Sequence, residues 1–245
     1  MKPYCLVTTY YCYGSNVRPP AHEHIKAKLR YDGLLEDLYI NFDNSFDPWH
    51  MDHLNIGMSR RKDLIYGKIF LLKTFIEKHI LNQYKFICHI DYSDTKFVKS
   101  FIDMMRHFEK SNKKFIIATE KNYWPPIDNI KKSIPYKLED KEFIYINSGA
   151  IIAETNIFYS YLTKLINLSL NINIDFWDDQ GVWQYYHLTE DTLISDNICE
   201  YFFCTSSLDS SYYSIDLNGI KTKFNTYPYL IHDNGSFNLD LINKV

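Results

Sequence analysis

The sequence contains no run approaching the roughly 18 apolar residues a membrane span needs, no internal repeat, no low-complexity tract and no Gly/Ser linker. Those absences exclude a spanning helix, a solenoid and a chain of tethered modules. The 245 residues are long enough for one large core, and a single α/β domain over 1–245 is the expectation. An excess of basic residues is also missing: 27 Lys and Arg stand against 30 Asp and Glu, a net charge of -3. Without that electrostatic footprint, nucleic acid is not an expected partner. The five cysteines (Cys5, Cys12, Cys88, Cys199 and Cys204) are odd in number and lack metal-finger spacing. Cys5 and Cys88 lie inside apolar runs, as small core residues do, which points to a reducing compartment. Met1-Lys2-Pro3 leads straight into the apolar stretch Tyr4–Thr9 with no secretory signal, so a soluble, cytoplasmic chain is expected. His22, His24, His50 and His53 show no His-x-x-x-His spacing, which favours solvated histidines over zinc ligands.

What is abundant is aromatic. Phe, Trp and Tyr make up 17% of the chain, a surplus that suits a cleft stacking on flat rings or sugar faces. The same surplus follows from a bias of composition toward Ile, Asn, Lys and Tyr, and both explanations stand.

Chemistry gathers at the ends of apolar runs. Lys85-Phe86-Ile87-Cys88-His89-Ile90 reads as a buried strand and stops at Asp91-Tyr92-Ser93-Asp94, an Asp-x-x-Asp motif. In open α/β sheets ligands bind beyond the carboxyl ends of the strands, where two such carboxylates are hard oxygen ligands suited to Mg²⁺ or Mn²⁺. The competing account is that both acids cap a helix starting near Thr95. Upstream, Tyr39–Phe42 reads as a strand, and Ile65, Ile69, Leu72, Ile76 and Ile80 form one helical stripe between Lys62 and Leu81. Gly67-Lys68 lies near the start of that helix, where a lysine can reach an anion held by free backbone amides.

Phe97, Phe101, Ile102, Met105 and Phe108 mark a second helix, and Lys114–Ala118 another strand, ending at Thr119-Glu120 and the loop Asn122-Tyr123-Trp124-Pro125-Pro126. Phe143–Ile146 is a strand interrupted at Asn147-Ser148-Gly149, where a glycine between two apolar runs implies φ > 0, close backbone approach, or an ordinary bulge. A third helix carries Ile157, Tyr161, Leu165 and Leu168. Asp178-Asp179-Gln180 fits either a helix start favoured by the macrodipole or a site with general-base or electrostatic work. Strands over Tyr201–Cys204 and Tyr229–His232 close the pattern, the last ending in a histidine, a common ligand beside two carboxylates. The alternation of strands and helices predicts a Rossmann-like, mostly parallel sheet flanked by helices.

Lys68, Asp91-x-x-Asp94, Glu120 with Trp124-Pro125, Asn147-Ser148-Gly149, Asp178-Asp179-Gln180 and His232-x-Asn234-Gly235, in this order, resemble the glycosyltransferase domain of procollagen lysyl hydroxylases and its standalone relatives. The resemblance runs from about Leu6 to Ser236. It implies a GT-A fold, Mn²⁺ (or Mg²⁺) dependence and a UDP-sugar donor whose hexose passes to a hydroxyl acceptor. By position, Asp91, Asp94 and His232 would hold the metal, and Lys68 would contact the diphosphate. Asp178, Asp179 and Asn147 would work on the sugar and acceptor side, with Thr8, Tyr92, Trp124, Ser148 and Gly235 completing the donor contacts. The chain departs from the family in three places: Tyr92-Ser93 stands where the family has Ser-Tyr, Trp177 shortens the acidic stretch, and Asp233 follows His232 in place of glycine. The hydroxylase domains have no counterpart, so lysyl hydroxylation is not implied. Two rivals differ in class. A metal-dependent phosphoesterase predicts more His and Asp ligands at strand ends than these three. A sugar-nucleotide or metal-binding module without turnover predicts that Asp178 and Asp179 are dispensable.

Overall fold

The computed structural model describes residues 1–10, 38–42, 66–91, 94–125, 142–171, 176, 178–190, 193–206 and 208–233. Tyr92, Gly235, the four histidines between positions 22 and 53, and the loop following Tyr10 lie outside them.

A five-stranded sheet forms the centre, in the order β2-β1-β3-β6-β5, from β1 (Lys2–Tyr10), β2 (Leu38–Phe42), β3 (Tyr84–Asp91), β5 (Phe115–Glu120) and β6 (Tyr145–Glu154). β1 pairs in parallel with both β2 and β3, whereas β6 runs antiparallel to both β3 and β5. The sheet is therefore mixed, with one reversed strand among four that share a direction. Periodicity reports which side chains are buried and is blind to strand direction, so the reversal leaves no trace in the pattern.

Alternation within the strands sorts the core onto the two faces of the sheet. Cys5, Val7, Ile87, Ile117 and Ile151 face one way, against helices α1 (Leu72–His79), α3 (Thr155–Asn171) and α4 (Asp179–Glu190). Leu6, Phe86, Cys88, Ile116 and Ile152 face the other, against α2 (Phe101–Lys110). The second helix shows why this sequence folds locally as it does. Phe101, Met104, Met105 and Phe108 recur at i, i+3, i+4 and i+7 and are all buried, each contributing roughly 1.5–3 kcal/mol of transfer free energy. Ser100 caps the start, its Oγ accepting from the Asp103 N–H at 3.3 Å. Asn112, at φ 57°, ends it in the left-handed conformation that asparagine tolerates best after glycine.

A smaller sheet stands beside the first: β4 (Thr95–Phe97), β10 (Leu230–His232) and β7 (Phe202–Cys204), with β10 in the middle. β8 (Tyr213–Asp216) and β9 (Gly219–Thr222) form a separate two-stranded hairpin between β7 and β10 in the chain.

Three sequence expectations change. No helix starts near Thr95: that segment is β4, Phe97 is a strand residue, and α2 begins after Ser100, so Asp91 and Asp94 are not helix caps. The stripe read from Lys62 to Leu81 opens, within the described residues, as a π-helical segment, Tyr66–Leu71, that runs directly into α1. Asn147-Ser148-Gly149 does not break its strand. β6 is continuous, and the interruption lies in the pairing, where the partner jumps from Ile151 opposite Ile117 to Asn147 opposite Ala118. Residues 148–150 have no partner on β5 at that jump and bow away from it, a bulged geometry.

Candidate active site

Asp91 is the last residue of β3, and the chain turns at once into β4. Thr95 Oγ1 donates to the Asp91 carbonyl at 2.6 Å, and the Asp233 N–H donates to the Asp94 carbonyl at 2.8 Å. The Asp-x-x-Asp turn is thereby tied at both acids. β10 pairs antiparallel with β4 so that His232 sits opposite Thr95, which carries the imidazole to the two carboxylates. His232 Nε2 lies 3.4 Å from an Asp94 oxygen and 3.7 Å from an Asp91 oxygen. Those separations are long for hydrogen bonds. They suit three ligands of one cation: at metal–ligand distances of about 2.1 Å, neighbouring octahedral ligand atoms stand roughly 3.0 Å apart and opposite ones about 4.2 Å. One ligand atom from each of Asp91, Asp94 and His232 lies within 4.8 Å of the others, as the ligands of one ion would. The residues fit the divalent ion that the sequence implied.

Lys68 reaches the same place from the π-helical segment, a deviation frequently found at functional sites. Its Nζ lies 2.7 and 2.9 Å from the two Asp91 carboxylate oxygens and 3.8 Å from Asp179. It is thus salt-bridged to acids, and any contact with a ligand phosphate has to be made beside that pairing. The electrostatics are those of a site with too much negative charge. Burial alone would lower the Lys68 pKa, but Asp179, Asp91 and Asp94 together hold it above the ordinary lysine value. Burial, reinforced by the Asp178 and Asp91 charges, pushes Asp179 up to about 6, against the opposing pull of Lys68 and a hydrogen bond from Ser148. Burial would likewise lower His232, yet Asp94 and Asp91 raise it above the ordinary histidine value. The clustered carboxylates raise all three groups: for Lys68 and His232 they outweigh burial, and for Asp179 they add to it.

The helix-start account of Asp178 holds, and so does a second role. Asp178 precedes α4 and its Oδ1 accepts from the Gly181 N–H at 3.0 Å, an N-cap. Its Oδ2 accepts from Trp124 Nε1, also at 3.0 Å, fixing an indole that is 41% exposed. Asp179, the first residue of α4, turns to Lys68 and is buried. Beside the acids lies a polar network. Glu120 Oε1 accepts from Asn147 Nδ2 at 3.0 Å and from Gln180 Nε2 at 2.6 Å, and Gln180 Nε2 also lies 3.1 Å from the Trp124 carbonyl.

These groups open onto a cavity of about 580 Å³. Of the expected site residues, Asp91, Asp94, His232, Asn147 and Trp124 line it. Lys68, Asp179 and Ser148 stand behind Asp91, linked to it through Lys68. Thr8 is fully buried in β1 opposite Ile90 and does not line the cavity. Ser206 lines it without having been singled out in sequence: it lies just past β7, and its carbonyl accepts from Asn122 Nδ2 at 3.0 Å. A serine carries no patterned signal. In the sequence Glu120 and Gln180 are only members of the motifs around Trp124 and Asp179, and their shared hydrogen bonds are what give them a place in the wall.

No protein-family profile matches the chain, and no curated protein matches it. Solved structures do. A glycosyltransferase involved in the glycosylation of the major capsid of PBCV-1 superposes with a TM-score of 0.54 at 7% identity, covering 99% of this chain and 98% of that one. Mouse xyloside xylosyltransferase 1, in its apo form, follows with a TM-score of 0.49 at 13% identity, covering 95% and 98%. A 4-diphosphocytidyl-2C-methyl-D-erythritol synthase from Anaerococcus prevotii gives 0.41 at 11% identity, covering 79% and 88%. Identities this low speak of fold and not of chemistry. The architecture is a GT-A-like α/β fold, a central mixed sheet flanked by helices.

Proposed function

We propose that the chain is a single-domain, metal-dependent glycosyltransferase that moves a hexose from a UDP-sugar to a hydroxyl acceptor. The observation that carries this reading is the convergence of Asp91, Asp94 and His232 at the ends of β3 and β10, at the wall of a cavity large enough for a sugar nucleotide. The sequence resemblance to lysyl hydroxylase glycosyltransferase domains and the likeness of fold support the same class. When bound, Mn²⁺ or Mg²⁺ would neutralise the diphosphate and stabilise UDP as the leaving group.

The chain's own groups do the rest. Asp91, Asp94 and His232 supply the ligands. Lys68 holds Asp91 in place and keeps the buried cluster from carrying its full negative charge. Trp124, fixed by Asp178, forms an apolar wall against which a sugar face can stack. Asn147 and Gln180, oriented by Glu120, present amide groups to hydroxyls. Asp179, buried behind them, contributes field at the reacting centre. A panel of UDP-sugars screened for metal-dependent UDP release tests the proposal directly. Release with at least one donor that stops on chelation is the expected result, and UDP release from none of them, with Mn²⁺ and UDP still bound, would leave a binding module in its place.

A further inference from the structure

The surroundings of the His232 ring other than the two acids are also built. In β6, Gly149 approaches the imidazole so closely that a Cβ added there would lie 2.8 Å from both ring nitrogens and nearer still to Cε1. Van der Waals contact between carbon atoms begins at about 3.5 Å. The obstacle is a ring carried on the central strand of the small sheet, with its backbone paired to Thr95 on one side and Cys204 on the other. It has little room to retreat. Gly149 is placed by the register jump of β6, and its N–H is held by Asn147 Oδ1 at 2.9 Å. It does not adopt positive φ, so backbone conformation gives no reason for a glycine at this position. The second ring nitrogen, Nδ1, has the buried Cys204 Sγ at 3.9 Å. A histidine that ligates a metal through Nε2 must carry its proton on Nδ1, and a partner there fixes both tautomer and ring plane.

We infer that Gly149 and Cys204 are positioning residues for His232: the glycine leaves the slot that admits the ring, and the thiol sulfur receives Nδ1–H so that the Nε2 lone pair is turned to Asp91 and Asp94. This rests on the metal reading proposed above. It also explains the Asn147-Ser148-Gly149 interruption by a side chain that arrives from a strand more than eighty residues away in sequence.

Two measurements on the intact chain test it. Free Mn²⁺ is followed by electron paramagnetic resonance during titration of wild type, Gly149→Ala, Cys204→Ala and Cys204→Ser. Gly149→Ala and Cys204→Ala are expected to bind about 10- to 100-fold more weakly, the usual cost of losing a group that orients a ligand, while Cys204→Ser keeps most of the affinity. In parallel, Tm is measured for Gly149→Ala in the wild-type and the His232→Ala backgrounds. The substitution should lower Tm in the first and leave it unchanged or raise it in the second, because the ring is gone and alanine suits a strand better than glycine. Wild-type Mn²⁺ affinity in Gly149→Ala, or an equal loss of Tm in both backgrounds, overturns the role of the glycine. Equal weakening by Cys204→Ser and Cys204→Ala overturns that of the thiol. If the wild-type chain takes up no Mn²⁺, the metal reading falls, and the Tm comparison still decides whether Gly149 makes room for the imidazole.

Discussion

Each ligand of the candidate metal site is one of three, so losing one removes a large part of the charge compensation a diphosphate needs. Asp94→Ala and His232→Ala are each expected to abolish Mn²⁺-dependent UDP binding in calorimetry while circular dichroism stays native, and wild-type affinity in both would refute the assignment. The adjacent acids behave differently, since one faces Trp124 and the other Lys68. Asp179→Asn should lower single-turnover sugar transfer far more than it weakens UDP binding, because its charge acts at the reacting centre without holding the nucleotide. A loss confined to UDP affinity would move Asp179 to the ground-state side. Asp91, Asp94 and His232 all stand at the ends of apolar runs in the sequence, and the fold brings one ligand atom of each within 4.8 Å of the others. Their couplings were hidden. That Lys68 is salt-bridged to Asp91, and that Asp178 holds Trp124, depends on tertiary distances that no local spacing encodes.

Elements were legible where burial was one-sided. α2 follows from its stripe, and the Ser100 cap that the structure adds to it is a separable contribution. Ser100→Ala should cost on the order of 1 kcal/mol, or roughly 2–4 °C in Tm for a chain of this size, and leave transfer activity unchanged. Activity lost in proportion would mean that α2 is coupled to the site. The errors have physical causes. The three-residue strand β4 is too short to show a period, and Phe97 lies four residues before Phe101, a spacing that mimics a helical stripe. The π-helical segment keeps its apolar residues close to helical spacing, so it reads as an ordinary first turn.

For the whole molecule, an α/β class was legible, and the reversal of β6 and the division of the described strands into three sheets were not. No helix among the described residues is long and apolar enough to cross a membrane, in line with the absence of apolar runs. If Mn²⁺ binds only the folded chain, it stabilises by mass action. At about a hundredfold excess over Kd that amounts to ~2.7 kcal/mol, or roughly 5–11 °C in Tm, which a chelator removes. Asp94→Ala should show no such chelator-sensitive rise, and a rise equal to that of wild type would place the ion elsewhere. The position of β10 carries this further, into kinetics. It is the last described strand, yet it is inserted between β4 and β7 and supplies His232 to acids that precede it by well over a hundred residues. Contacts so distant along the chain are entropically costly to close and tend to form late. On that order of events the Asp91, Asp94 and His232 cluster is complete only after the folding barrier has been crossed. Stopped-flow traces should show Mn²⁺ slowing unfolding severalfold while refolding keeps its rate, so that the ion acts as a latch set after the door has closed.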